Sequence, residues 1–174
     1  MRWVALLRAV NLGGRNKVPM AQLRALLEES GYRDVRTYIA SGNVLLDGPR
    51  SGAAVVRELE RIVADAFGVD TTAIVRKPAE LAGLVGAHPF GRDTSRSQVV
   101  FLAERPTAAA AERLAEADHA PDRGILAGKD LYVQYGAGVQ NARLSAARLE
   151  RLLGVAATHR NWRTVAALAE LAAA

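Results

Sequence analysis

The hydrophobic positions of this chain form two kinds of pattern, short apolar runs and stripes with helical spacing. Residues 3–7 are continuously apolar, which is typical of a strand buried on both faces. Met20, Leu23 and Leu27 recur on one side of a helix, which Gly31 is placed to end. The same criteria predict strands at 3–7, 35–39, 44–46, 72–75, 99–102, 125–127, 131–133 and 155–158, and helices around the stripes that begin near 19, 55, 78, 107, 149 and 162.

The order of these elements recurs in the two halves of the chain, although the residues themselves do not repeat. Each half has the order strand, helix, strand, strand, helix, strand, followed by an extra helix. That order is the ferredoxin-like (βαββαβ) plait. We therefore predict an α+β fold made of two similar plaits, with lobes at residues 1–87 and 98–174 and a polar junction at 88–97.

A plait of this order brings several polar residues to one edge of its sheet. The end of the first strand, the start of the first helix and the turn into the third strand meet there. Helix N-termini favour anions, glycines let a backbone approach a ligand, and lysine adds positive charge. We expect a small anionic or phosphate-bearing ligand to bind at this edge. The candidate residues are Arg8, Asn11, Gly13, Gly14, Asn16 and Lys17 in the loop, and Ser41, Gly42 and Asn43 in the turn.

A purely structural interpretation of the same loop stays open. Gly13 and Gly14 suit turn dihedrals, and Asn16 and Asn43 can hydrogen-bond the nearby backbone. The loop lacks both the spacing of a P-loop and that of a dinucleotide fingerprint. The corresponding loop of the second half, residues 104–106, is short and has no glycine, which favours a special role for the first loop.

A second candidate lies near the C-terminus, at residues 160–162. Arg160 can bind a phosphate or carboxylate, and Trp162 can stack on a ring. The alternative is structural, with Asn161 capping the last helix and Trp162 filling the core.

Three blocks of sequence resemble a known bacterial family. They are residues 6–20, with Leu-Leu-Arg and Asn-x-Gly-Gly-x-Asn, residues 35–43, with Val-x-Thr-Tyr-Ile and Ser-Gly-Asn, and residues 158–165, with Thr-x-Arg-Asn-Trp-x-Thr-Val. Together with a central Pro-Phe at 89–90, they are similar to the domain-of-unknown-function family 1697. The resemblance implies a duplicated α/β plait. It supplies no activity and no cofactor, so the cofactor stays unknown.

Charge and composition narrow the function only a little. The net charge is +5 and the pI about 10.1, which favours anionic partners, but the arginines are scattered rather than clustered. The absence of cysteine excludes disulfides and thiolate catalysis. His88, His119 and His159 have no partners at metal-ligand spacing, so we predict no metal site. No acid–base pair stands out, and whether the protein is an enzyme stays open.

Two other classes of function remain as alternatives. A basic nucleic-acid-binding or ribosome-associated protein is one, although the predicted strands carry few aromatics on which bases can stack. A protein-interaction module that uses a sheet edge or helix face is the other. No apolar run has the length of a membrane span, and the apolar start is shorter than a secretory signal, so we expect a cytoplasmic location without membrane partners.

Overall fold

The computed structural model describes all 174 residues, in eight strands and six α-helices. The first half contains β1 (Arg2–Leu7), α1 (Met20–Glu29), β2 (Arg33–Tyr38), β3 (Asn43–Asp47), α2 (Gly52–Phe67), β4 (Ala73–Arg76) and α3 (Pro78–Gly86). The second half contains β5 (Ser97–Leu102), α4 (Ala108–Glu116), β6 (Arg123–Ala127), β7 (Asp130–Gln134), α5 (Ala146–Leu153), β8 (Ala157–Asn161) and α6 (Trp162–Ala173).

Each half forms its own four-stranded antiparallel sheet. The strand orders are β2-β3-β1-β4 and β6-β7-β5-β8, so the first strand of each half pairs with both the third and the fourth. This is the strand order of the ferredoxin-like plait. The predicted duplicated fold is therefore confirmed, including the extra helix after each plait.

The duplication extends to the pairing register. Val4 of β1 lies opposite Arg76 of β4, and Val99 of β5 lies opposite Arg160 of β8. Arg76 and Arg160 thus occupy equivalent positions, and both are buried. The two halves are therefore similar in their strand register, although their amino-acid sequences show no repeat.

The core of the first plait lies between its sheet and two helices. Alternate residues of β1 face this core, and Leu23, Leu27, Val55 and Leu59 meet them from α1 and α2. The helical positions recur every three or four residues, which puts them on one face. The second plait is built in the same way, with α4 and α5 covering one face of its sheet, and its core contains Val100, Leu102, Leu114, Leu131, Val133, Leu149 and Leu153.

The chain divides into two compact units, residues 1–83 with 168–174, and residues 84–167. The prediction placed the lobes at 1–87 and 98–174, with a junction at 88–97. The difference concerns α3 and α6, because each helix continues across a unit boundary. None of the helices is long and apolar enough to span a membrane.

Two of the differences between predicted and observed strand bounds affect candidate residues. β2 ends at Tyr38, and Ile39 beyond it has a left-handed backbone with φ of 49°. β8 covers Ala157–Asn161 instead of residues 155–158. Asn161 also begins the next helix, because its Oδ1 accepts the Thr164 N–H at 2.8 Å, so the predicted cap is confirmed.

Candidate functional site

A groove of about 560 Å³ lies where the loop after β1, the start of α1 and the end of β2 come together. We call it the Lys17 groove. Asn11 Nδ2 donates to the Ala40 carbonyl at 2.6 Å, so the loop after β1 and the turn after β2 are in direct contact. The groove is lined by Asn11, Gly14, Lys17, Val18, Pro19, Met20, Thr37, Ile39 and Ala40.

The tip of the loop is a tight turn closed by backbone hydrogen bonds. Arg15 N–H donates to Leu12 O at 2.9 Å, and Asn11 N–H donates to Asn16 O at 3.0 Å. The two residues at the tip, Gly13 and Gly14, have φ of +55° and +76°. Positive φ at both central positions is characteristic of a primed turn and explains the glycine pair.

The asparagine side chains of the loop hold its shape. Asn11 Oδ1 accepts the Val18 N–H at 2.8 Å, and its Nδ2 donates to Val18 O at 2.9 Å as well as to Ala40 O. Asn16 Nδ2 donates to Ala9 O at 3.0 Å. These amides are committed to the backbone, so the loop is ordered before any ligand arrives.

The turn of residues 41–43 packs against the end of β1 and the chain that follows it, and it does not line the groove. Asn43 is completely buried, and its Nδ2 donates to Tyr38 O and to Ser41 Oγ, both at 2.9 Å. Gly42 has φ of +89°, and a Cβ there would lie 2.6 Å from Val10 Cγ2. Gly42 is therefore required for close packing against the chain after β1.

Lys17 and the N-terminus of α1 both lie at the Lys17 groove, and no acidic side chain of the protein neutralises either of them. Lys17 is exposed and makes no ion pair with the protein. Helix α1 begins after Pro19 without a side-chain cap and without an acidic residue in its first turn. The first N–H groups of a helix have no intrahelical acceptor, so they give this wall of the groove a partial positive charge. The equivalent helix α4 is capped, because Thr107 Oγ1 accepts the Ala110 N–H at 3.1 Å.

The two arginines of the prediction lie outside this groove. Arg8 follows β1, where its backbone pairs with Thr72, and it is not among the lining residues. Arg160 belongs to the second unit and is only 6% exposed. Its Nη1 donates to Thr158 Oγ1 at 2.7 Å and to His159 O at 2.8 Å, and burial lowers its pKa to about 10. Of the ten predicted residues, the groove is lined by Asn11, Gly14 and Lys17.

The family model described as "Protein of unknown function (DUF1697)" matches residues 1–132, which include the whole Lys17 groove. This chain belongs to the DUF1697 family. The match ends before residues 158–165, so the resemblance of that closing block lies outside it. No curated protein matches the sequence of this DUF1697 protein.

A solved structure shares the fold. The conserved bacterial protein SP0830 from Streptococcus pneumoniae is 22% identical and superposes with a TM-score of 0.75. The match covers 99% of this chain and 98% of the other. The fold of this chain is thus shared with a bacterial protein over almost the whole length of both chains.

Sequence reasoning missed the apolar wall of the groove. Val18, Pro19, Met20 and Ile39 line it, and Ile39 was assigned to a strand. The left-handed backbone of Ile39 turns its side chain out of the β alternation and leaves it 53% exposed. The sequence offered one sign of this exposed side chain, which is that Ile39 stands directly before a turn and not inside a strand.

A buried titratable pair lies in the second unit. Tyr135 Oη is 3.2 Å from His159 Nδ1, and His159 Nε2 is buried without a hydrogen-bond partner. Burial, with a contribution from the positive Arg160, lowers the pKa of His159 from 6.5 to about 4. Burial and the charge of Asp122 raise the pKa of Tyr135 to about 12. Both groups are therefore neutral at physiological pH.

Proposed function

We propose that this protein binds a small anionic or phosphate-bearing ligand in the Lys17 groove. The observation that carries the proposal is the coincidence of an unpaired lysine with an uncapped helix N-terminus at one groove. Backbone N–H groups at a helix start and a nearby ammonium form a recurring anion site. The volume of about 560 Å³ is in the range of small-molecule pockets.

The lining also supports a ligand with an apolar portion beside its anionic group. Beside Lys17 and the start of α1, the apolar residues Val18, Pro19, Met20 and Ile39 also line the groove. An apolar wall stabilises a ligand by removing its apolar surface from water. The ligand class that fits is a phosphate or carboxylate with an apolar portion. Catalysis is not part of the proposal, because no carboxylate, imidazole or thiol lines the groove.

Nucleic-acid binding gains no support from the two sheets. Plaits that bind RNA in this way stack bases on exposed strand aromatics. Here Trp3, Phe101 and Tyr132 are buried on their strands, and the partly exposed strand aromatic, Tyr38, is a single ring at the end of the edge strand β2. We therefore keep a small ligand as the proposed partner.

The test is calorimetric titration with pyrophosphate, sugar phosphates and short-chain acyl phosphates. The Lys17→Ala variant should bind the best of these ligands at least about tenfold more weakly, the loss expected for one charge-assisted hydrogen bond. Arg57→Ala is the matched control, because Arg57 is an exposed and unpaired cation on α2 of the same unit. Equal affinities in Lys17→Ala and the wild type would contradict the proposal.

A further inference from the structure

A second groove, of about 630 Å³, lies within the second unit, between the segment before β5 and the start of α6. We call it the Trp162 groove. Its two sides are residues 92–97 and 161–163. It shares no residue with the Lys17 groove and does not depend on the function proposed for that site.

The indole of Trp162 is held in a fixed orientation at this groove. Its ring centroid lies 4.2 Å from that of His88, with the planes tilted by 47°. His88 Nε2 is in turn 3.1 Å from Ser97 Oγ, and Ser97 is 2% exposed. Trp162 itself is half-buried, and its Nε1 has no acceptor in the protein. A half-buried indole fixed from one side is a stacking surface that costs little entropy to use.

The charged groups of the Trp162 groove are mostly donors without partners. The guanidinium groups of Arg92 and Arg163 are exposed, and neither makes a hydrogen bond or an ion pair with the protein. The carboxylate in the lining, Asp93, accepts from Ser95 N at 3.0 Å and from Ser95 Oγ at 2.7 Å. These bonds hold the pKa of Asp93 below its usual value and turn the carboxylate toward its own loop.

Asn161 adds a neutral donor beside these arginines. Its Oδ1 is used by the cap of α6, whereas its Nδ2 donates to no protein atom. The groove therefore combines two free guanidinium groups, a free amide and a free indole N–H with one aromatic face. Arginine pairs with phosphate by parallel hydrogen bonds, and a purine or pyrimidine stacks on indole.

We propose that the Trp162 groove binds a nucleoside monophosphate. The base stacks on Trp162, and the phosphate lies between Arg92 and Arg163. Asn161 Nδ2 donates to the ribose or to the phosphate. The groove volume of about 630 Å³ is large enough to accommodate a ligand of this size.

Fluorescence gives a direct test, because the chain has two tryptophans and Trp3 is buried in the first core. In a Trp3→Phe background, Trp162 is the sole reporter. Titration with AMP should quench its emission saturably, whereas adenosine and inorganic phosphate should each bind at least about tenfold more weakly than AMP. The double variant Arg92→Gln/Arg163→Gln should weaken AMP binding by about a hundredfold.

Arg151→Gln is the matched control, because Arg151 is an exposed arginine of the same unit on α5 and should leave the AMP affinity unchanged. Calorimetry of AMP with the wild type and the double arginine variant repeats the comparison without the Trp3 substitution. The proposal is wrong if AMP at millimolar concentration gives no quench and no heat, if adenosine binds as tightly as AMP, or if the arginine pair is dispensable. Loss of AMP binding in Lys17→Ala but not in the arginine variant would assign the ligand to the Lys17 groove.

Discussion

The carboxamide of Asn11 and the backbone of Val18 hydrogen-bond each other in both directions, at 2.8 and 2.9 Å. The Asn11 side chain thus satisfies both backbone groups of Val18, as a neighbouring strand would, and the side chain of Val18 is buried. The same Nδ2 also holds Ala40 O, so one amide fixes both sides of the Lys17 groove.

Asn11→Ala removes three hydrogen bonds and leaves the backbone of Val18 without its partner. We expect a loss of about 2–3 kcal/mol in unfolding free energy. Asn11→Asp should be destabilised at neutral pH as well, because a carboxylate cannot donate to the carbonyls of Val18 and Ala40. Urea denaturation measures both. A loss below about 0.5 kcal/mol would show that the amide is not needed for the loop.

Two glycine substitutions separate backbone strain from steric overlap. Gly42→Ala places a Cβ 2.6 Å from Val10 Cγ2 and 2.9 Å from Leu7 Cβ at a positive φ. Gly13→Ala meets only the positive φ, because no atom lies within 4 Å of its added Cβ. We expect about 1 kcal/mol of destabilisation for Gly13→Ala and about 2–4 kcal/mol for Gly42→Ala. Thermal denaturation compares them, and equal losses would refute the overlap at Gly42.

Gln22→Glu places a carboxylate in the uncapped first turn of α1. Near the positive end of the helix it should stabilise the fold by about 0.3–1 kcal/mol. It should also weaken the binding of phosphates, because it occupies the field that the ligand would use. Gln22→Lys should have both effects reversed. Melting temperature and calorimetry read the two quantities independently, and stability and affinity that move together would count against an anion site.

Ile39 has a left-handed backbone that β-branched residues rarely adopt. Asparagine tolerates this conformation, so Ile39→Asn should stabilise the protein by up to about 1 kcal/mol in chemical denaturation. The same change removes an apolar part of the groove wall and should weaken ligands with an apolar portion more than inorganic phosphate. Thr37→Val keeps the backbone and serves as the control for changes in the lining. Unchanged or lowered stability would mean that the strain at position 39 is not relieved by asparagine.

The stability of the protein should fall between pH 6.5 and pH 4. His159 has a pKa of about 4 in the folded protein and 6.5 as a model value, so over this range only the unfolded chain takes up the proton. Its contribution to stability is complete above pH 6.5 and is lost as the pH falls toward 4, by up to about 1.4 kcal/mol per pH unit. Urea denaturation across this range should show a flatter profile for His159→Asn, which cannot titrate. Parallel profiles would exclude His159 as the source.

Most helices and strands could be predicted because the spacing of apolar residues within each segment is enough to identify them. The apolar stripe with Leu23 and Leu27 predicts a helix that buries one face. The continuous apolar run of β1 predicts a strand that is buried on both faces. The ends of the elements depend on contacts that are not local. Ile39 carries a strand side chain but leaves the strand, since the turn into β3 at Gly42 must pass close to Val10. The residues near Ile39 do not predict this close approach, because it depends on packing between segments that are distant in sequence.

The candidate site was predicted by its location more than by its residues. Topology brought the loop and turn together, and Asn11, Gly14 and Lys17 do line one groove. Asn16 and Asn43 have the right chemistry for a ligand, but their amides are bound to backbone carbonyls. A sequence cannot tell a free amide from one that is already satisfied.

The sequence by itself determined the duplicated plait, since element order and apolar periodicity leave few other ways to bury both sheets. Only the tertiary structure decided which polar groups remain free. Arg160 is buried against Thr158, whereas Arg92 and Arg163 stay exposed without partners. The three share the same side chain, and their difference arises because hydrogen bonding and burial depend on what the fold places beside each one.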